Sequence, residues 1–245
     1  LQLTDLPEKQ DKRDAILRGF KWLLGMQSKD GGWGSFDKNN NKAILNHIPF
    51  ADWNALIDPS TSDLTARSLD VMGRLGYDVN FYPAKKAIDF LKNEQEEDGS
   101  WFGRWGVNYL YGTWSALSGL YSIKEDMTKE YVRRAASWLK NVQNSDGGWG
   151  ETCKSYENTS LKAIGKSTPS QTSWALLGLL CTEERNSESV EKGIQYLLKN
   201  QKEDGTWDEE EFTGTGFPKV FYLRYHMYKS YFPLLALSKY RNMVK

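Results

Sequence analysis

Two groups of residues in this chain could do chemistry by their type and spacing. Asp63 and Arg67, in "SDLTAR", lie four apart, so on a helix they would face the same way and could pair. Arginine stays charged at any working pH, which makes the pair a carboxylate beside a permanent cation. The same spacing is also that of an ordinary helix-surface salt bridge, which contributes little. The second group is aromatic. In "GFPKVFYLRYHMY", Phe217, Phe221, Tyr225 and Tyr228 fall at spacings of four, four and three, one face of the segment if it is helical. Ring faces attract cations while offering no easily captured lone pair, so such a stripe could wall a site where positive charge develops. Plain core packing is the commoner origin of such a stripe. "WFGRWGVNY" adds Trp101 and Trp105, four apart, with Tyr111 close behind. His47 and His226 stand alone, and no cluster of His, Cys and carboxylates has metal-ligand spacing, so no metal is expected.

These residues must be held by a repeated scaffold. "QSKDGGWG" from Gln27, "QEEDGSWFG" from Gln95, "QNSDGGWG" from Gln143 and "QKEDGTWDE" from Gln201 all place a Trp six residues after a Gln. Each block closes a helical pattern with one charged face: "DAILRGFKWLLGMQ", "AKKAIDFLKNEQ", "YVRRAASWLKNVQ" and "VEKGIQYLLKNQ". A second, more apolar helix reads after each block: "TSDLTARSLDVMGRLGY", "YLYGTWSALSGLYSI", "PSQTSWALLGLLC" and "MYKSYFPLLALSKY". Their few charges suit helices covered on both sides. Strand signals are weak throughout. The pattern predicts an all-α fold of about eight main helices in four hairpins and two layers, an α/α solenoid curled on itself. In each block the Gln ends an outer helix, Asp-Gly makes the turn, and the Trp folds back against the neighbouring outer helix. The Gln amide is suited to backbone groups at a helix end.

Composition bounds the rest. The chain of 245 residues has ample core, and its 32 basic and 32 acidic side chains leave no basic footprint for nucleic acid. Two cysteines, Cys153 and Cys181, are too few for a disulfide framework, which favours a reducing, cytoplasmic setting. No apolar run is long enough to span a membrane, and the polar start "LQLTDLPEKQDKRD" is not a signal peptide. Aromatic residues make up 13% of the chain and include ten tryptophans, more than a core alone calls for.

The fourfold block resembles the QW motif of the triterpene cyclases. "NHIPFADW", "DPSTSDLTAR", "DGSWFGRWGVNYLYGTW", "STPSQTSWALLGLL" and "GTGFPKVFYLRYHMYKSYFPLLALSKY" are similar to the C-terminal part of a squalene-hopene cyclase, and the likeness covers essentially the whole chain. It implies that residues 1–245 form one unit, an incomplete α/α toroid, and that the full-length enzyme cyclises a polyprenyl hydrocarbon such as squalene through carbocations. It implies no metal and no organic cofactor. The family acid is an aspartate in an Asp-x-Asp-Asp motif; this sequence has none, and the motif is expected just upstream of Leu1, in a missing N-terminal part of the same enzyme. The chain alone is therefore expected to be inactive. The resemblance further implies that Phe217, Phe221, Tyr225, Tyr228, Trp105, Tyr111 and Phe36 wall the substrate cavity. Phe36 stands where many members carry tyrosine, and Arg67 where many carry a histidine that bonds the acid motif. Asp63 and Arg67 would then support the absent acid, and Phe50 and Ala51 would line the substrate channel. A peripheral position on the membrane surface is expected of the full-length enzyme. The alternatives are a cyclase of the sporulenol or tetraprenyl-curcumene type, and a non-catalytic α/α toroid that binds a partner or lipid. A protein prenyltransferase β-subunit shares the barrel but needs zinc ligands that are absent here.

Overall fold

A computed structural model describes residues 9–42, 44–45 and 56–243. The described residues form eight α-helices: α1 (Lys9–Gly25), α2 (Ser62–Arg74), α3 (Tyr82–Asn93), α4 (Tyr109–Ser122), α5 (Glu130–Asn141), α6 (Pro169–Leu179), α7 (Glu188–Lys199) and α8 (Tyr228–Met243). The inner helices follow one another, α2 against α4, α4 against α6 and α6 against α8, while α3, α5 and α7 pack outside them. Every residue of α6 is buried, as its lack of charge anticipates, whereas α5 and α7 bury one apolar stripe and leave their charges wet. The inner pair α2 and α4 meets backbone to backbone. A Cβ on Gly119 would come within 2.3 Å of the Ala66 carbonyl oxygen, so only glycine allows the approach.

The Gln-Trp block is a three-way fastener. Trp33, Trp101, Trp149 and Trp207 are all buried, and each indole N–H donates to the carbonyl ten residues back on its own outer helix, at 2.7–2.8 Å. The Gln amides reach forward. Gln27 donates to Pro83, Gln95 to Tyr131 and Gln143 to Ser189, each the second residue of the next outer helix, at 2.9, 2.7 and 2.9 Å. The backbone N–H groups of Trp33, Trp101 and Trp149 turn inward to the hydroxyls of Thr65, Thr113 and Thr172 on the inner helices. The turn glycine must adopt positive φ (+87° at Gly147) and lies so close to Lys192 that no side chain fits there. The expected fold-back of the ring is therefore partly redistributed: its N–H binds its own helix, while its edge meets the next one. A Cβ on Gly193 of α7 would come within 2.7 Å of the Trp149 ring.

Both ends of this series are incomplete among the described residues. Gln201 donates to its own turn at Gly205 and to no following helix. On α1, Gly19 holds the register that Gly193 holds on α7, eight residues before the block's Gln, yet nothing lies within 4 Å of a Cβ placed there. Trp22, five residues before Gln27, is 62% exposed, whereas its counterparts Phe90 and Trp138 are buried.

One departure from the all-helical reading is a hairpin, β1 (Gly214–Phe217) antiparallel to β2 (Phe221–Leu223), with Phe217 paired to Phe221. Phe217, Phe221, Tyr225 and Tyr228 therefore do not share one helical face. Pro218 removes a donor and Gly214 and Gly216 weaken any helix here. The chain instead turns at Pro218–Lys219, where Lys219 takes φ 70° and the Val220 N–H donates to the Phe217 carbonyl at 3.0 Å.

Candidate active site

The inner end of the first hairpin borders a cavity of about 440 Å³ whose wall includes Trp22, Trp33, Phe36, Leu64, Arg67 and Trp105, almost wholly apolar apart from the arginine. Trp105 comes from the loop before α4, and that loop is pinned from three sides. Asp63, at 1% exposure, accepts from the N–H groups of Arg104 (3.1 Å) and Trp105 (3.0 Å) through one oxygen. The Tyr156 hydroxyl bridges the carbonyls of Gly103 (2.6 Å) and Gly106 (2.7 Å), and the Val107 N–H donates to the Thr213 carbonyl beside β1.

Asp63 and Arg67 do not pair. The other Asp63 oxygen takes the Thr61 hydroxyl at 2.6 Å and the Leu64 N–H at 3.0 Å, so backbone and hydroxyl donors occupy the carboxylate. Arg67, one turn later on α2, reaches Tyr111 and Trp114 on α4 instead. Its Nη2 donates to the Tyr111 hydroxyl at 2.8 Å, and its guanidinium lies 5.5 Å from the Tyr111 ring and 5.2 Å from the Trp114 ring. Burial pushes the Tyr111 phenol above its ordinary range, with Arg67 pulling against it, so the phenol stays neutral.

The predicted aromatic residues fall into two groups that meet at Arg67. In the first, Phe36 stands edge-on to Trp105 (6.0 Å), Trp105 to Phe217 (6.1 Å), and Phe217 lies 6.0 Å from Phe221. Phe36 is 68% exposed, at the open side of the cavity. In the second, Tyr111 packs on Trp174 (4.9 Å), Trp174 on Tyr228 (5.9 Å), and Tyr228 on Tyr225 (4.7 Å). The glycines of β1 carry rings: a Cβ at Gly216 would strike the Phe221 ring at 2.0 Å, and one at Gly214 the Tyr225 ring at 2.4 Å. Phe50 and Ala51 lie outside the described residues.

Several residues of the site were not singled out by their sequence. Trp114, Trp174 and Phe232 form the floor beneath Arg67; Trp114 stands three residues after Tyr111 on an inner helix, a signal that could have found it. Arg104 places a second guanidinium 5.4 Å from the Trp105 ring and 5.9 Å from Phe217. Glu151 and Glu209, each two residues after a block tryptophan, are buried at the starts of inner helices. Glu151 accepts from the N–H groups of Asn108 (3.2 Å) and Leu110 (3.0 Å) at the head of α4, next to Tyr111. Glu209 accepts from the Ser170 N–H at 2.9 Å at the head of α6. Burial raises the pKa of both above the ordinary carboxylate range, and these donors offset it only in part.

Comparison with known proteins gives one family. The family described as "Squalene-hopene cyclase C-terminal domain" matches residues 1–242. A squalene-hopene cyclase from Zymomonas mobilis is 52% identical over 248 residues, and one from Alicyclobacillus acidocaldarius is 48% identical over 245. Each alignment covers all of this chain but 37% and 39% of those proteins, so the chain spans well under half of their length. A dammaradiene synthase from Dryopteris crassirhizoma is 44% identical over 268 residues, covering all of this chain and 39% of the synthase. Among solved structures, ent-copalyl diphosphate synthase from Streptomyces platensis shares the fold at a TM-score of 0.56 and 17% identity, over 91% of this chain and 46% of that one.

Proposed function

The chain belongs to the squalene-hopene cyclase C-terminal domain family, and from that premise we propose that it is the C-terminal part of a cyclase that folds a polyprenyl hydrocarbon, squalene or a close relative, and closes it into rings. A carboxylic acid gives its proton to the terminal alkene. The π electrons of successive double bonds then close the rings, and the last cation ends the sequence by losing a proton. The acid belongs to polypeptide outside this chain, which has no Asp-x-Asp-Asp.

The carrying observation is Arg67: a permanent cation on the wall of an aromatic cavity, held by Tyr111 and two ring faces, with no carboxylate in ion-pair contact among the described residues. A carboxylic acid seated beside it has its conjugate carboxylate stabilised, which makes it a stronger acid. Trp105, Phe217, Phe221 and Phe36 offer ring faces to the migrating charge, and Tyr225 and Tyr228 back them. Asp63 acts by holding the Trp105 loop. The almost wholly apolar wall offers few groups to hold the water that would capture a cation. Because the substrate resides in lipid, the full-length enzyme is placed at a membrane surface; among the described residues no helix is long and apolar enough to cross a membrane.

The test compares this chain with the full-length enzyme on squalene, with products followed by gas chromatography. The chain alone is expected to give no polycyclic product, and the full-length enzyme to give one. Cyclised product from the purified chain would overturn the assignment of the acid to another segment. A full-length enzyme that leaves squalene untouched but converts a shorter or partly cyclised terpene would move the substrate to the sporulenol or tetraprenyl-curcumene type.

A further inference from the structure

Among the described residues Arg67 makes one hydrogen bond, from its Nη2 to the Tyr111 oxygen on α4. One bond leaves a guanidinium free to swing about it. A second constraint comes from Trp114, one helical turn beyond Tyr111 on the same face of α4, whose ring centroid lies 5.2 Å from the guanidinium carbon. Trp114 is itself immobilised. It stacks parallel on Trp174 at 6.0 Å with a 4° tilt, Phe232 of α8 stands edge-on to it at 5.3 Å and to Trp174 at 5.5 Å, and Trp174 is completely buried. The spacing between α2 and α4 is set by the Gly119–Ala66 backbone contact, one residue before Arg67, so the guanidinium meets this floor at a fixed height. We propose that Trp114 is a positioning residue for the cyclisation: its ring face and the Tyr111 oxygen together fix the plane of the Arg67 guanidinium, so that the remaining N–H donors point into the cavity where the acid sits. The inference rests on the role given to Arg67 above. A ring that only filled space between α4, α6 and α8 would owe nothing to what stands at position 67.

The test is a double-mutant cycle in the full-length enzyme, with kcat and KM measured on squalene for Trp114→Phe, Trp114→Leu, Arg67→Lys, Arg67→Ala and Trp114→Leu/Arg67→Lys. Lysine keeps the charge but has no plane to stack. Trp114→Phe, which retains a face, is expected within about threefold of wild-type kcat, whereas Trp114→Leu loses about tenfold in kcat at nearly constant KM. The double variant is expected to be no slower than Arg67→Lys within about threefold, because both changes remove the same restraint. Losses that multiply in the double variant, beside an impaired Arg67→Lys, would overturn the hold by Trp114 alone. A Trp114→Phe enzyme as slow as Trp114→Leu would do the same. An Arg67→Ala enzyme at the wild-type rate would instead remove Arg67 from the acid chemistry, and this inference with it.

Discussion

At the scale of single residues, the site depends on rings laid on glycines. Phe221 lies across Gly216 and Tyr225 across Gly214, so a methyl group added to β1 must displace a ring. Gly216→Ala in the full-length enzyme is therefore expected to redistribute products with little loss of overall fold, read by gas chromatography beside the melting temperature. Phe217→Ala and Phe221→Ala should each remove roughly 1 to 2 kcal/mol of cation stabilisation in a dry cavity and stall or redirect ring closure. An unchanged product profile at a near-normal rate would return these rings to ordinary packing. The sequence pointed to residues that the structure sets on or beside one cavity, but not to their geometry. Residue types and the resemblance brought out Arg67, Trp105, Tyr111, Phe217 and Phe221. The 4-4-3 spacing misled because a Gly-Thr-Gly-Phe-Pro run overrides helical periodicity. The Asp63–Arg67 pairing failed because two loop N–H groups forty residues away compete for the carboxylate, and that is invisible to local spacing.

At the scale of elements, the helices were legible because each carries its own period and its own closing block, and the eight segments read from sequence are the eight that form. Less legible was how each block divides its bonds, since the partners lie one repeat further on. Trp149→Ala should cost about 3 to 5 kcal/mol through the void it leaves. Gln143→Ala should cost on the order of 1 to 3 kcal/mol by removing the amide donor shared by the Gly147 and Ser189 carbonyls. The pair should be less than additive, because ring and amide brace one turn. Thermal melts of both singles and the double decide it, and unchanged midpoints in the singles would strip the block of its fastening role. The buried caps give a second prediction. Glu151 and Glu209 have folded pKa values raised above an unfolded value of about 4.3. Between the two values the folded chain holds more protons than the unfolded one, so their contribution falls as pH rises through that window. Asp98 goes the other way: burial would raise it, but the Ser100 hydroxyl and N–H and the Lys162 ammonium hold it below its ordinary value. Its contribution is lost only as pH falls below the usual carboxylate range. Denaturation of the chain should therefore need less urea as pH rises through the window above the usual carboxylate range, and Glu209→Gln should flatten that fall.

At the scale of the whole molecule, the four hairpins form a row in which each touches mainly its neighbours, and this makes the two ends, uncovered among the described residues, matter. A row of coupled units frays from its ends, since a terminal unit gains one interface where an inner one gains two. Native-state hydrogen exchange should show the slowest amides in α4, α5 and α6 and progressively faster ones toward α1 and α8. Uniform protection along the row would mean that the hairpins open as one. The same asymmetry gives opposite signs to one substitution made at equivalent places. Gly193→Ala on α7 drives a methyl group into the Trp149 ring and should destabilise the chain. Gly19→Ala on α1 meets nothing among the described residues and should gain up to about 1 kcal/mol from helix propensity alone. Once a neighbouring turn covers α1, that gain should vanish or reverse, so the melting shift of Gly19→Ala, in this chain and in the full-length enzyme, becomes a gauge of whether the first joint of the row is closed.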